Sequence, residues 1–197
     1  LPQPVALRLK QESVCLAQLD EEEAAQLASL PAMIYQLADS RISDVYAAPP
    51  VRYPDGRWYL TWGANTLADR WVESFNDIGD WYREGGDAGA GAIRPSMERH
   101  LPGLRAGGWH TSRCVITYTT HGRPYLDALG DGLFVAVGGN GHSAKWSPAL
   151  GGLAADLVTG EAWPSGIPPA LFEARYATGD TGWAIRDLWS DRAGVAE

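Results

Sequence analysis

GLFVAVGGNGHSAKWSPALGGLAADLVTG, residues 132–160, decides the reading of this chain. Its opening Leu133, Phe134, Val135, Ala136 and Val137 form an unbroken apolar run rich in β-formers, the pattern of a strand buried on both faces. A glycine turn follows at Gly138, Gly139, Asn140 and Gly141. Ser147 then caps a helix, with Pro148 in its first position. Leu150, Leu153, Ala154, Leu157 and Val158 fall on one helical face, and Gly160 is the expected stop. Strand, glycine turn and helix start, in that order, offer backbone N–H groups and a positive helix end to an anionic or electron-rich ligand. No Gly-Lys-Ser/Thr closes the turn, and it does not match G-x-G-x-x-G. An ordinary strand-to-helix turn of an α/β domain reads the same way. His142 and Lys145 lie inside the turn, and Lys145 is one of only two lysines, the other being Lys10. A lone cation at a glycine-rich helix entrance is suited to hold an anion.

Composition sets the bounds. A chain of 197 residues can bury one good core or two small ones. Its 45% apolar and 20% charged residues are those of a soluble globular protein, no apolar stretch reaches membrane-spanning length, and no signal-peptide pattern opens it. A formal charge of −8 argues against nucleic acid as a partner, since phosphate binding needs a basic surface. Cys15 and Cys114 make no disulfide framework, so a reducing, cytoplasmic setting is expected. Nine tryptophans suit core and interface packing, or an aromatic cage around a flat cofactor or an amine.

Elsewhere the pattern alternates strands and short helices. Residues 5–9 read as a strand near an edge; residues 14–19 pair with it or run on into a helix over 21–30, led by Asp20-Glu21-Glu22-Glu23 and ended by Pro31. Residues 44–63 form the clearest hairpin, turning at Pro54-Asp55-Gly56. Its second strand puts Trp58, Leu60 and Trp62 on one face and Arg57, Tyr59 and Thr61 on the other. Two short helices divided at Gly79 are expected over 67–83, a flexible loop over 85–91, and a helix over 93–101. Residues 109–120 are a strand with Cys114, Ile116 and Tyr118 on one face. Cys114 suits a small buried hydrophobe; with His100 and His110 it fits no zinc spacing. Gly130-Asp131-Gly132 returns the chain to the opening stretch. Beyond Gly160, Trp163-Pro164 and Ile167-Pro168-Pro169 make a rigid excursion, residues 171–176 a short helix or strand, and the tail after Trp189 is loosely ordered.

The 132–160 block resembles the C-terminal signature of the D-amino-acid-oxidase-type FAD amine oxidoreductases, nearest the branch of monomeric sarcosine oxidase and N-methyltryptophan oxidase. That signature runs apolar strand, Ala-Gly-x-x-Gly-His-Gly-x-Lys, helix; Gly141-His142-Ser143-Ala144-Lys145 matches it, with Ser143 in place of glycine. Two more anchors stand in family order: the Tyr-x-x-Pro-Pro and Pro-Asp-Gly-x-Trp-Tyr-Leu hairpin, and Cys114 to His121 against Cys-x-x-x-x-Thr-x-Asp, with His121 replacing the aspartate. The resemblance implies an α+β fold: an antiparallel-sheet substrate domain over residues 1–112, then the C-terminal strand–turn–helix part of an α/β FAD-binding domain over 113–197. It implies FAD as cofactor and oxidation of the C–N bond of an amino acid or secondary amine by hydride transfer to the flavin. By it, Lys145 is the catalytic-site residue that holds the substrate carboxylate, and Trp58, Tyr59 and Asn65 shape the pocket. Gly138, Gly139, Asn140, Gly141, His142, Ser143, Ala144 and Lys145 lie against the flavin, and Cys114 is a candidate for a covalent bond to it. Thr61 stands where the branch carries a lysine tied to oxygen activation, so a dehydrogenase using another electron acceptor stands beside the oxidase. The family's longer chains begin with G-x-G-x-x-G, absent here, so the expectation is a second half that needs an N-terminal half or a partner subunit to complete the flavin site. A non-catalytic subunit completing a partner's flavin site would expose apolar surface where that partner packs. A hydrolase using His142 lacks the Gly-x-Ser-x-Gly elbow.

Overall fold

Period-two alternation builds the larger of two compact units, Lys10–Val115. The computed structural model describes residues 4–37, 41–66, 69–84, 90–164 and 166–177. Strands β1 (Leu7–Leu19), β2 (Met33–Gln36), β3 (Ile42–Arg52), β4 (Trp58–Thr66) and β5 (Gly108–Thr119) form one sheet in the order β2-β3-β4-β1-β5. The pairs β2–β3, β3–β4 and β4–β1 are antiparallel. Cys15, Ala17 and Leu19 from β1, Val45 and Ala47 from β3, and Leu60, Trp62 and Ala64 from β4 line the core face. Helix α1 (Glu21–Gln26) brings Ala24 to that face, and α3 (Ala90–His100) brings Ile93 and Met97. The other face carries Lys10 and Glu12 from β1, Asp44 and Tyr46 from β3, and Tyr59, Thr61 and Asn65 from β4, with Asp44 opposite Asn65 and Lys10 bonded to Asn65. A side chain at Gly63 would run into the Tyr46 ring opposite it, so only glycine fits there.

The hairpin is where the sequence puts it, and its two faces divide as expected. Three elements differ. β1 is one unbroken strand of 13 residues between β4 and β5, not a separate edge strand. Helix α2 (Phe75–Glu84) runs through Gly79 without a break, the Arg83 side chain lying over the position. Helix α3 starts at Ala90, ahead of the expected Ile93, which leaves Pro95 inside it. Strand β2 has no counterpart in the sequence reading. The expected loop over 85–91 lies largely outside the described residues, and the tail after Trp189 wholly so.

The second unit joins Leu1–Leu9 to Ile116–Glu197, a division that differs from residues 1–112 and 113–197 chiefly in taking the N-terminal segment with the C-terminal part. Its hairpin pairs β6 (Tyr125–Gly130) with β7 (Leu133–Val137) through Asp131 and Gly132, both at positive φ. Tyr125 is fully buried, its hydroxyl donating to the Ala6 carbonyl (3.1 Å) and accepting from the Thr120 N–H (3.1 Å). Residues 175–177 are tied to residues 4–6: Ala6 N–H donates to Arg175 O (2.7 Å) and Ala177 N–H to Pro4 O (2.8 Å). β7 is not buried on both faces. It pairs with β6 alone among the described residues, and Leu133 and Phe134 remain 43% and 37% exposed. Helix α4 (Ser147–Thr159) buries Leu153 and ends on Gly160 in the left-handed conformation (φ 75°). Ser147 is its first residue rather than its cap, because a 3-10 turn over Ser143–Trp146 takes the entry position.

Candidate functional site

Asn140 holds the glycine turn together. Its backbone is left-handed (φ 51°), which asparagine tolerates better than most residues, between glycines at φ 88° (Gly138) and 74° (Gly141). It is almost fully buried, with its polar atoms engaged. The backbone N–H donates to Thr117 O (2.9 Å), Nδ2 donates to Gly138 O (2.5 Å), and Oδ1 accepts from the Thr119 N–H (2.9 Å). His142 Nδ1 donates to the Asn140 carbonyl (2.6 Å), a partner that can only accept, so the proton sits on Nδ1. Gly138 packs so tightly on Thr119 that a Cβ there would collide with its methyl group.

The turn opens onto a cavity of about 370 Å³ lined by Val137, Gly138, Gly139, Ser143 and Ala144, with Leu150, Gly151 and Ala154 from α4. Ser143 Oγ is a buried hydroxyl without a hydrogen-bond partner. Neither the 3-10 turn nor α4 has a side-chain cap at its start. A flat apolar group whose edge carries hydrogen-bonding atoms would occupy such a cavity and satisfy Ser143. On that chemistry the residues fit a flavin ring. Lys145 lies beside the turn, exposed, with its ammonium 5.3 Å from the centre of the Trp146 ring.

The three residues expected around the substrate do not cluster. Asn65 is six residues beyond Tyr59 on β4, about 20 Å at the usual rise per strand residue. Trp58 packs against the helix-covered core. Tyr59 is at the hairpin end, its hydroxyl donating to Asp55 (2.9 Å) and its ring edge-on to Tyr53 and His110. Asn65 belongs to a buried charged group that sequence reading missed. Its Nδ2 donates to Asp44 (2.8 Å), while its Oδ1 accepts from Lys10 Nζ (2.5 Å). Lys10 is also 2.7 Å from Glu12 and 3.4 Å from Asp69. Burial raises the Glu12 and Asp69 carboxyls above their ordinary range against the pull of Lys10. The one sequence signal was charged residues at alternate positions, Lys10 and Glu12, between the strand patterns of residues 5–9 and 14–19.

Cys114 shares that neighbourhood. Its thiol donates weakly to Glu12 O (3.7 Å), and its own carbonyl accepts from the Trp81 indole (3.0 Å). Burial first, then the charge of Glu12, pushes the thiol up to about 11. His121 bonds the segment around Glu173, with Nε2 donating to Glu173 O (3.2 Å) and Nδ1 accepting from the Arg123 N–H (3.2 Å). Desolvation holds its imidazole below the ordinary value. Among the described residues no group of three or more His, Cys, Asp or Glu could hold a metal ion, and no helix is long and apolar enough to cross a membrane.

Residues 1–157 match the family described as FAD dependent oxidoreductase (DAO). The chain belongs to that family. No curated protein sequence matches it. Among solved structures it resembles fructosyl amine: oxygen oxidoreductase (Amadoriase I) from Aspergillus fumigatus, with a TM-score of 0.56 and 19% identity over 84% of this chain and 39% of that one. It also resembles a thermally stable mutant of fructosyl peptide oxidase, at TM-score 0.56 and 18% identity over 82% and 40%. At these identities the likeness is one of fold: a mixed α+β chain with antiparallel sheets, matching part of such a flavoenzyme. The family chain described here spans about two fifths of the length of either oxidase.

Proposed function

We propose that this chain is part of an FAD-dependent oxidoreductase that oxidises the C–N bond of an amino acid or secondary amine. The observation that carries the reading is the glycine turn of a family member opening onto an apolar cavity, with a lysine ammonium beside it. When bound, FAD supplies the two-electron acceptor for the hydride. Gly138, Gly139, Asn140, Gly141, His142, Ser143 and Ala144 would hold its ring edge, the Ser143 hydroxyl finding there the partner it lacks. Lys145 would take the substrate carboxylate as a point charge and so orient the amine. Tyr59 and Asn65 would contribute to the substrate side from different places along β4, and Trp58, packed against the core on the opposite face, would support that strand from behind. Thr61, where the sarcosine-oxidase-like branch has lysine, favours an electron acceptor other than oxygen. Burial of the Cys114 thiol works against the thiolate that a bond to the flavin would require.

A second reading is supported by the exposed apolar β7: a non-catalytic subunit or domain that completes the flavin site of a partner chain. One experiment separates the two. The purified protein gives a visible spectrum, its acid-precipitated pellet another, and a denaturing gel shows any second chain. Yellow that washes from the pellet supports a non-covalent flavoenzyme; yellow retained on the band with Cys114 would establish the covalent bond. A colourless protein with a co-purifying chain favours the subunit. A colourless, folded lone chain that binds no added FAD overturns the flavin site for this chain by itself.

A further inference from the structure

Lys145 rests on Trp146. Among the described residues its ammonium has no carboxylate or hydrogen-bond partner, and the face of that ring is its one described contact. Adjacent residues of a helical turn point apart, so the lysine must bend aside to reach the ring. The ring is itself braced: His142 meets it edge-on at 5.2 Å and 80°. His142 is fixed in turn by its bond to Asn140 O, and Asn140 by Thr117, Thr119 and Gly138. Placement thus passes from the buried turn to an exposed cation through Asn140, His142 and Trp146.

We propose that Trp146 is a positioning residue: braced by His142, it presets the Lys145 ammonium for a carboxylate-bearing ligand. This rests on the proposed role of Lys145 and deepens it. A free lysine samples many rotamers and loses that freedom on pairing with an anion. One already laid on an aromatic face has lost part of it beforehand, so its affinity for a carboxylate rises. The contact leaves the donors of the ammonium on the side away from the ring open to that anion. Selectivity follows, because an amine without the carboxylate gains nothing from the arrangement.

The test uses the flavoprotein holoenzyme with ¹³C-labelled lysine, the Lys145 signal being the one lost in Lys145→Arg. A ring-current shift on the Lys145 side-chain protons is expected in the wild type, gone in Trp146→Leu and largely kept in Trp146→Phe. Acetate, titrated through the same signal, should bind Trp146→Leu about fivefold more weakly, the scale of an exposed cation–π contact, and Trp146→Phe almost as the wild type. In turnover, KM for a carboxylate-bearing amine should rise in Trp146→Leu with kcat kept, and KM for the same amine lacking the carboxylate should not. Trp146 is 45% exposed, so its replacement removes little buried surface. Equal acetate affinity in wild type and Trp146→Leu overturns the positioning role alone. Acetate that never moves the wild-type Lys145 signal overturns both this proposal and the carboxylate role beneath it.

Discussion

Cys114 and Lys10 show how burial sets the chemistry of single side chains in this protein. With its thiol pushed up to about 11, Cys114 should react with iodoacetamide slowly at pH 8 and much faster only as the pH approaches that value. Glu12→Gln removes one of the charges opposing the thiolate, so the profile should move to lower pH; alkylation already fast at pH 8 in the wild type would contradict this account. Lys10 is paired with Glu12 and Asp69 and, through Asn65, linked to Asp44. Lys10→Met should cost about 3–5 kcal/mol, because it leaves buried carboxylates uncompensated. Urea denaturation would measure it, and adding Glu12→Gln should recover part of the loss. The glycine turn that carries His142 and Lys145 was legible as a turn into a helix because its residues sit in one contiguous stretch. The Lys10 group was not, since its members come from β1, β3, β4 and the segment after β4, and only register brings them together. Trp146 was just another tryptophan until its ring was found beneath the lysine.

β7 carries the clearest consequence for an element. An apolar pentapeptide with a solvent-facing side is a site for dye binding and association. Leu133→Thr with Phe134→Thr should lower binding of a hydrophobic dye while the far-ultraviolet spectrum stays native; unchanged dye binding would locate the apolar surface elsewhere. Sequence pattern found the β3–β4 hairpin because Pro54-Asp55-Gly56 and the alternation agree. It misjudged the burial of β7, since composition reports what a strand is suited to contact and not what lies beside it. It divided β1 because Lys10, Gln11, Glu12 and Ser13 look like a loop, whereas Lys10 pairs with the buried acids and the strand runs through. Gly79 misled for the opposite reason, its helical cost being only about 1 kcal/mol, too small to break a helix otherwise supported.

For the molecule as a whole, the extent of the chain governs the expected flavin chemistry. At about two fifths of the length of the two oxidases it resembles, this polypeptide alone should take up added FAD weakly. Adding a chain that carries a dinucleotide-binding fingerprint should raise that affinity, and fluorescence quenching of FAD would follow it; tight binding by this chain alone would refute the expectation. The family and fold class were legible from three separated motifs, while the spacing of Trp58 and Tyr59 from Asn65 needed the structure, since an extended strand carries them to different places along β4. The locked turn also bears on how the protein ages. Asn140-Gly141 is the chain's one Asn-Gly step, the sequence most prone to cyclise and lose its amide as ammonia. Cyclisation needs the Gly141 nitrogen to reach the Asn140 side-chain carbon, yet that amide is clamped by Gly138 and Thr119. Deamidation should therefore proceed only from molecules whose turn has opened, and Thr119→Ala, which keeps the backbone N–H donor but removes the hydroxyl contact to Asn140 Oδ1 (3.4 Å), should hasten it modestly under storage at pH 8, as read by mass spectrometry. The aspartate formed could no longer donate to Gly138 O, so each such event would prevent the turn from re-forming and retire that copy of the protein.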